Sequence, residues 1–474
     1  MNVLLIRPRP EADLFGLAPF FQIEPLGIEY IAAELEFRGH RTTVIDMRFE
    51  RRKIPALLKK YRPHVVGIAC LHIIDVSATL GISAEIFSLD SAIFIAVGGH
   101  AASVFPQVFS SSKAIKAVCI GEGEMIFPGL VDTLAEKKNI EDMPSILLNC
   151  GKEGFKLTSN KNEPQDLAFA RLPARGKIAR YQKHYCCLNY MPVWALETTR
   201  GCHYQCKFCS VWQFYQRSCR YHTIDNVRED FSAAGHNIFI VDDIFWAESD
   251  RSSELSRFLI KNDARKNWIL VQSRCDHVVE NYELLESWRH LARSFDIFFG
   301  FESPTSSGLN SLNKDSDIHE TEEAIKVARR LGFGVTGSMI IDPAFEEEDF
   351  QLIWDFLDKH KLYRVGFTIL TPLPGTYFFD EKKDDIMVFD WNQYDMHHLL
   401  WKPRLPLKRF WELYCETWRR TVLNLSGSKK WWNWCGTVNP LRIPRLAHIL
   451  YRTQKLMNPK AYMNDSQISE ARYH

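Results

Sequence analysis

The chain has 474 residues and a net charge of +1, with 25% of its residues charged and 46% hydrophobic. Those fractions are ordinary for a globular protein, the net charge points to no polyanionic partner, and the length allows two or three domains at roughly 100–200 residues each. The opening run Met1-Asn2-Val3-Leu4-Leu5-Ile6 lacks the basic flank and cleavage site of a signal peptide, and no apolar run reaches the roughly 20 residues that span a bilayer. The cytoplasm is therefore the expected location, and the 12 cysteines read mostly as small buried hydrophobes rather than a disulfide framework.

In chain order, strand-like runs fall at Val3–Arg7, Thr43–Asp46, Val65–Ala69, Ile93–Val97 and Ala117–Ile120. Helical patterns follow at Leu26–Arg38, Ile54–Tyr61, Ser77–Leu89 and Ile126–Lys137. Apolar strands separated by amphipathic helices predict a parallel sheet covered on both faces. The expectation is an α/β, doubly wound, flavodoxin-like domain of five strands over residues 1–140. Residues 141–190 are polar, contain Asn160-Lys161-Asn162 and several prolines, and read as a linker with short elements.

A second βα series occupies 191–395. Its strands are expected at Val193–Glu197, Ile238–Val241, Ile269–Gln272, Ile297–Phe301, Val335–Ile341 and Val365–Leu370. Its helices are expected at Ile224–Ala233, Ser252–Lys261, Tyr282–Arg293, Glu320–Leu331 and Phe350–Lys359. Six such repeats predict a partial (β/α)6 barrel with its site at the C-terminal strand ends. Residues 396–474 form a mainly helical tail; between 401 and 460 it holds 13 Lys and Arg against two acids, with six tryptophans within Trp401–Trp434.

The first barrel strand runs into Thr199-Arg200-Gly201-Cys202-His203-Tyr204-Gln205-Cys206-Lys207-Phe208-Cys209. Cys202, Cys206 and Cys209 are soft ligands on one loop, suited to iron–sulfur or zinc. Three thiolates can hold a 4Fe-4S cube and leave one iron open. A structural zinc site wants a fourth ligand, for which Cys219 or His203 is near. The CxxxCxxC spacing, with an aromatic before the last cysteine and after the first of six strands, resembles the radical S-adenosylmethionine (SAM) superfamily. That resemblance implies a 4Fe-4S cluster on the triplet and SAM on its open iron. It also assigns SAM-site roles to Asp242 on the second strand end, Arg274 on the third (SAM carboxylate) and Glu302 on the fourth (ribose). A capping or solvated polar residue is the alternative at each.

Glycines at strand ends allow close backbone approach. Here Gly98-Gly99-His100 and Gly121-Glu122-Gly123-Glu124 end two strands of the first domain. Placed before a radical SAM domain, this module resembles the cobalamin-binding domain of cobalamin-dependent radical SAM enzymes. The resemblance implies cobalamin, as methylcobalamin, against Leu71, Gly98, Gly99, Gly121 and Glu122. The DxHxxG loop of other cobalamin domains is absent, with Asp46-Met47-Arg48-Phe49 in that region, and Ala69 stands where an SxL run has serine. His72 is a substitute lower ligand of cobalt or a packed histidine.

Ser210-Val211-Trp212-Gln213-Phe214-Tyr215, Phe239-Ile240-Val241-Asp242-Asp243, Tyr394-Asp395-Met396-His397-His398 and Arg404-Leu405-Pro406-Leu407 resemble the hopanoid C-3 methylases. The implied reaction carries a methyl group from methylcobalamin to an unactivated carbon of an apolar lipid such as a triterpenoid. Tyr215 and His397 are the candidate substrate-side residues. Oxidative cyclisation or rearrangement with the same cofactors, and a cobalamin-binding sensor, are the competing readings. A flavodoxin or ferredoxin would supply electrons. The basic, Trp-rich tail suits peripheral contact with a membrane, an inward-packed helical cap being the alternative; nucleic acid is the weakest partner.

Overall fold

The apolar runs of the first half assemble into one sheet because each is buried on both faces, as Val3, Leu4, Leu5 and Ile6 of the first strand show. The computed structural model describes residues 1–10, 21–151, 154–159, 163–262, 264–422, 443–465 and 468. Five parallel strands, β1 (Asn2–Arg7), β2 (Arg41–Asp46), β3 (Val65–Ala69), β4 (Phe94–Gly98) and β5 (Ala117–Cys119), lie in the order β2-β1-β3-β4-β5. Helices Leu26–Phe37, Ile54–Tyr61, Val76–Leu89 and Gly123–Ala135 connect or follow them. The last begins three residues before its expected start, because Glu122 already has the extended backbone of an N-cap.

The sheet has seven strands rather than five. Antiparallel β6 (Ile146–Asn149) and β7 (Phe155–Leu157) extend it beyond β5, so the start of the expected linker is sheet edge. Asn160-Lys161-Asn162 lie outside the described residues. The rest of that segment makes 3-10 turns and pairs Cys186–Cys187 with Phe21–Gln22.

The second sheet is parallel throughout, in sequential order: β8 (Trp194–Leu196), β9 (Asn237–Ile240), β10 (Lys266–Ser273), β11 (Ala292–Glu302), β12 (Gly334–Ile341) and β13 (Val365–Ile369). Strand β11 starts at Ala292, where a helix was expected to run on to residue 293; two shorter helices, Cys275–Glu280 and Tyr282–Arg289, precede it. The outward side chains Ile238, Ile240, Ile269, Val271, Ile297 and Phe299 are fully buried. On the alternate positions Trp268, Leu270 and Asp296 are buried and fill the lower interior, with Phe239 and Phe298 packed on Trp268 and Leu270, while Val241, Gln272 and Ser338 are half-buried, so this partial barrel opens toward its C-terminal strand ends. Helix Leu407–Val422 covers the β13 edge, with Phe410, Trp411, Tyr414 and Trp418 buried and the Tyr414 hydroxyl donating to the Phe367 carbonyl at 3.1 Å. Each such side chain contributes about 1.5–3 kcal/mol by leaving water.

Candidate functional site

The cysteine loop is closed at its base by a two-residue ladder, Thr199–Arg200 against Arg220–Tyr221. Gly201 has φ +97°, and a Cβ there would lie 2.0 Å from the Ser218 carbonyl oxygen, so only glycine fits. The Cys206 carbonyl accepts from the Cys209 backbone N–H at 3.2 Å and from the Trp212 indole at 3.1 Å, which turns the loop into helix Val211–Phe214. Cys206 is buried, and Cys202 and Cys209 are half-buried. Burial pushes the Cys202 thiol up to about 11 and the Cys209 thiol to about 12, and raises Cys206. A cation that replaces the protons offsets that penalty and leaves thiolate ligands. Cys219 Sγ lies 3.7 Å from His203 Nδ1. Among the described residues, no three His, Cys, Asp or Glu side chains converge as on a single ion.

Around this loop stand the strand-end residues. Asp242 is fully buried: it accepts from the Thr198 backbone and hydroxyl and from the Thr199 hydroxyl at 2.5–2.9 Å. It thus braces the β8 end rather than facing the mouth. Asp243 is exposed yet ringed by protein, accepts from the Gly201 N–H at 2.9 Å, and is raised to about 6 by burial. Arg274 lies over the Tyr204 ring at 3.5 Å, pairs with Asp276 at 3.0 Å and donates to the carbonyls of Lys314 and Asp315. Glu302 follows a β-bulge, has φ +59°, and pairs with Lys314 Nζ at 3.1 Å. Lys314 and Asp243 carry weight that the sequence reading did not assign; a lysine four residues before a helix gives no periodic signal.

Between the two sheets runs a buried charge network. Arg200 donates to Glu122 at 2.6 Å and to Glu197 at 2.7 Å, and pairs with Glu124 at 2.9 Å. Arg220 pairs with the other oxygen of Glu122 at 2.8 Å, and His222 meets Glu197 at 3.0 Å. Burial alone would raise Glu197, but Arg200 and His222 hold it at about 2. The Glu122 carboxylate therefore faces the cysteine loop, not an open cofactor cradle.

The strand ends of the first module open onto the same region. Gly99 has φ +107°, and a Cβ there would meet the Cys70 carbonyl oxygen at 2.7 Å; it serves the packing of that loop. Gly121 also has positive φ, +96°, while Gly98 tolerates a Cβ, whose nearest neighbour would be Cys119 Cβ at 3.5 Å. Leu71 is half-buried beside Gly99. His100 bonds Ser210 Oγ at 2.7 Å and lies 4.6 Å from the Phe214 ring, joining this module to the residue after Cys209. Burial lowers His100 to about 4 and lowers His72. His72 keeps open surface despite its crowded surroundings, as a cleft-lining side chain does. The wall is thus uncharged at its imidazoles, which fits a corrin rimmed by neutral amides. The His72 backbone is tied to Asp75 in both directions, its carbonyl accepting from the Asp75 N–H at 2.9 Å and its own N–H donating to Asp75 Oδ2 at 2.9 Å.

The substrate-side candidates separate. Tyr215 packs edge-on to Phe214 with Arg220 5.4 Å from its ring, at the mouth. His397 lies behind β13, bonded to the Tyr414 hydroxyl at 3.1 Å, and is not brought to the cysteine loop by any contact described.

Residues 16–131 match the B12 binding domain family and residues 196–357 the radical SAM superfamily. With the fold and the cysteine loop, these two modules place the chain in the cobalamin-binding radical SAM enzymes, whose cofactors are a 4Fe-4S cluster, SAM and cobalamin. It is 28% identical to the hopanoid C-3 methylase of Methylococcus capsulatus over 98% of this chain and 89% of that protein. The fold is shared with the cobalamin-dependent radical SAM enzyme OxsB (TM-score 0.70, 17% identity, 96% of this chain and 71% of that one). The radical SAM methyltransferase TsrM of Kitasatospora setae also shares it (TM-score 0.66, 17% identity, 81% and 77%). Among the described residues, no helix is long and apolar enough to cross a membrane.

Proposed function

We propose that the chain transfers a methyl group from methylcobalamin to an unactivated carbon of an apolar polycyclic lipid of the hopanoid type. The observation that carries this reading is the similarity to a hopanoid C-3 methylase over nearly the whole length of both chains, tail included. The apolar floor, where Phe239 and Phe298 pack on Trp268 and Leu270 and Val241 packs beside Tyr30 and Ala195, suits an apolar substrate.

When bound, the cofactors supply a carbon-centred radical for hydrogen abstraction and a methyl group held on cobalt; the protein supplies placement and exclusion of water. Cys202, Cys206 and Cys209 would hold the cluster. Glu302 and Asp243 present carboxylates at the mouth, for the ribose hydroxyls and the amino group of SAM. Arg274, engaged with Asp276 and two carbonyls, would act on SAM through the 312–315 loop. Leu71, Gly98, Gly99 and Gly121 would line the corrin, and Tyr215 would bound the substrate. An acidic flavodoxin or ferredoxin would deliver the electron.

The test is anaerobic reconstitution with iron, sulfide and hydroxocobalamin, followed by mass spectrometry of lipids from an expressing host. The expected product is one methylene heavier than its precursor, with deoxyadenosine formed from SAM. The variant Cys202→Ala/Cys206→Ala/Cys209→Ala should form neither and lose the visible absorbance of a thiolate-bound cluster. A product of unchanged carbon number would favour cyclisation, and absence of deoxyadenosine from a loaded protein would favour a sensor.

A further inference from the structure

Three non-glycine residues with left-handed backbone surround one buried lysine. Glu302 has φ +59°, Asn313 +52° and Asp315 +50°, and Lys314 lies between the last two in sequence. Such conformations persist where surrounding contacts over-determine them, and they gather at functional sites. Here the contacts are explicit. Arg274 Nη1 donates to the Lys314 carbonyl at 2.8 Å and Arg274 Nη2 to that of Asp315. Asn313 Nδ2 donates to the Gln205 carbonyl at 2.7 Å, and the Lys207 N–H to the Leu312 carbonyl at 3.0 Å. The 312–315 loop is therefore latched on both sides of Cys206. Its one buried charge reaches Glu302 Oε1 at 3.1 Å, the two side chains being 10% and 8% exposed. Gly300 makes the meeting possible: a Cβ there would lie 2.4 Å from Glu302 Oε1 and 2.8 Å from Lys314 Nζ.

A buried ion pair is weak evidence for stability, since desolvation opposes the Coulomb gain. The pair makes better sense as part of the site. Lys314 stands on the loop bonded to Gln205 and Lys207, the residues on either side of Cys206, and its ammonium offers three donors of which Glu302 takes one.

We propose that Lys314 is a positioning residue of the cluster and SAM site, its ammonium balancing negative charge on the Cys206 side of the cluster and holding Glu302 in its left-handed pose. This rests on the cysteine triplet as cluster ligands. A fixed cation beside a cluster favours the reduced state, which carries one more negative charge. Charge near the cluster is one of the levers that set its potential.

The test uses full-length protein, reconstituted anaerobically, with the cluster's midpoint potential followed by electron paramagnetic resonance. Lys314→Met should move the midpoint to more negative values and raise the KM for SAM about tenfold, the scale of one contact to a charged group, while Lys314→Arg should stay near wild type. Because Lys314→Met leaves Glu302 unpaired, the decisive comparison is Glu302→Gln/Lys314→Met against Glu302→Gln, which removes the Lys314 charge with the Glu302 carboxylate absent from both. A more negative midpoint in the double variant supports the assignment; equal midpoints overturn it. A wild-type chain that takes up no cluster overturns the reading of the triplet instead.

Discussion

Glu122 and Arg200 join the two modules through a 2.6 Å ion pair in which both side chains are nearly sealed from water, at 7% and 6% exposure. Arg200 stands two residues before Cys202, so the cysteine loop is braced from the cobalamin-binding module. Removing Glu122 leaves Arg200 with Glu197 and Glu124, so the loss falls below the roughly 3–5 kcal/mol of breaking an isolated buried pair. Glu122→Ala should lower the thermal midpoint by several degrees, measured by calorimetry. It should also raise the deoxyadenosine formed per methyl transferred, because an error of about 1 Å between reacting groups can cost 10²-fold. An unchanged midpoint and unchanged coupling ratio would make the pair incidental.

Cobalt should carry no imidazole from this chain. The region of the missing DxHxxG loop is Asp46-Met47-Arg48-Phe49, where Arg48 pairs with Asp46 at 2.7 Å, and His100 is bonded to Ser210. Reconstituted wild type and His72→Ala should give the same cob(II)alamin spectrum, without nitrogen superhyperfine splitting from the protein. Splitting present in wild type and lost in His72→Ala would refute this.

Much of the architecture was readable because long apolar runs and helical periods report burial directly. The cysteine loop was readable because its spacing is local. What escaped was orientation. In Phe239-Ile240-Val241-Asp242-Asp243 every strand position is apolar, so no alternation tells which acid points inward; a strand buried on both faces conceals its own pleat phase. Asp242 braces Thr198 and Thr199, while Asp243 meets Gly201. Lys314 was hidden for a different reason: its direction is set by left-handed neighbours in a loop, which leave no period. Glu122 looked like part of a glycine-lined cradle because its partners, Arg200 and Arg220, are distant in sequence.

Glu29 should give the apoprotein a measurable pH slope. It is fully buried, and neither carboxyl oxygen has a hydrogen-bond partner. Burial, with Glu24 adding to it, raises it well above the ordinary range. A raised folded value means the native state holds the proton that the unfolded chain releases. The stability tied to that proton is complete below the ordinary carboxylate range. It is lost as pH rises toward the folded value, by about 1.36 kcal/mol per unit. Glu29→Gln should remove this slope, so the variant gains on wild type in denaturant titrations from pH 4 to pH 8. Parallel stability curves would show that Glu29 is charged in the fold.

The tail can be tested against a membrane, and the structure narrows how. Three of its six tryptophans, Trp401, Trp411 and Trp418, are buried. Arg404, Arg409, Arg419 and Arg420 pair with Glu346, Glu347, Glu416 and Asp358 respectively. The three buried tryptophans act as a structural cap, and the remaining three, Trp431, Trp432 and Trp434, stand with Lys429 and Lys430 outside the described residues. A lysine near an anionic surface contributes about 1 kcal/mol, and the attraction decays over a Debye length of about 8 Å at physiological salt. Binding to vesicles containing phosphatidylserine should be clear at low salt and fall steeply as salt rises, with weak binding to neutral vesicles. Lys429→Glu/Lys430→Glu should lose most of the anionic binding while SAM cleavage stays intact. Equal sedimentation with anionic and neutral vesicles at low salt, or none with either, would leave the tail a cap alone and move the search for substrate from membrane lipids to soluble ones.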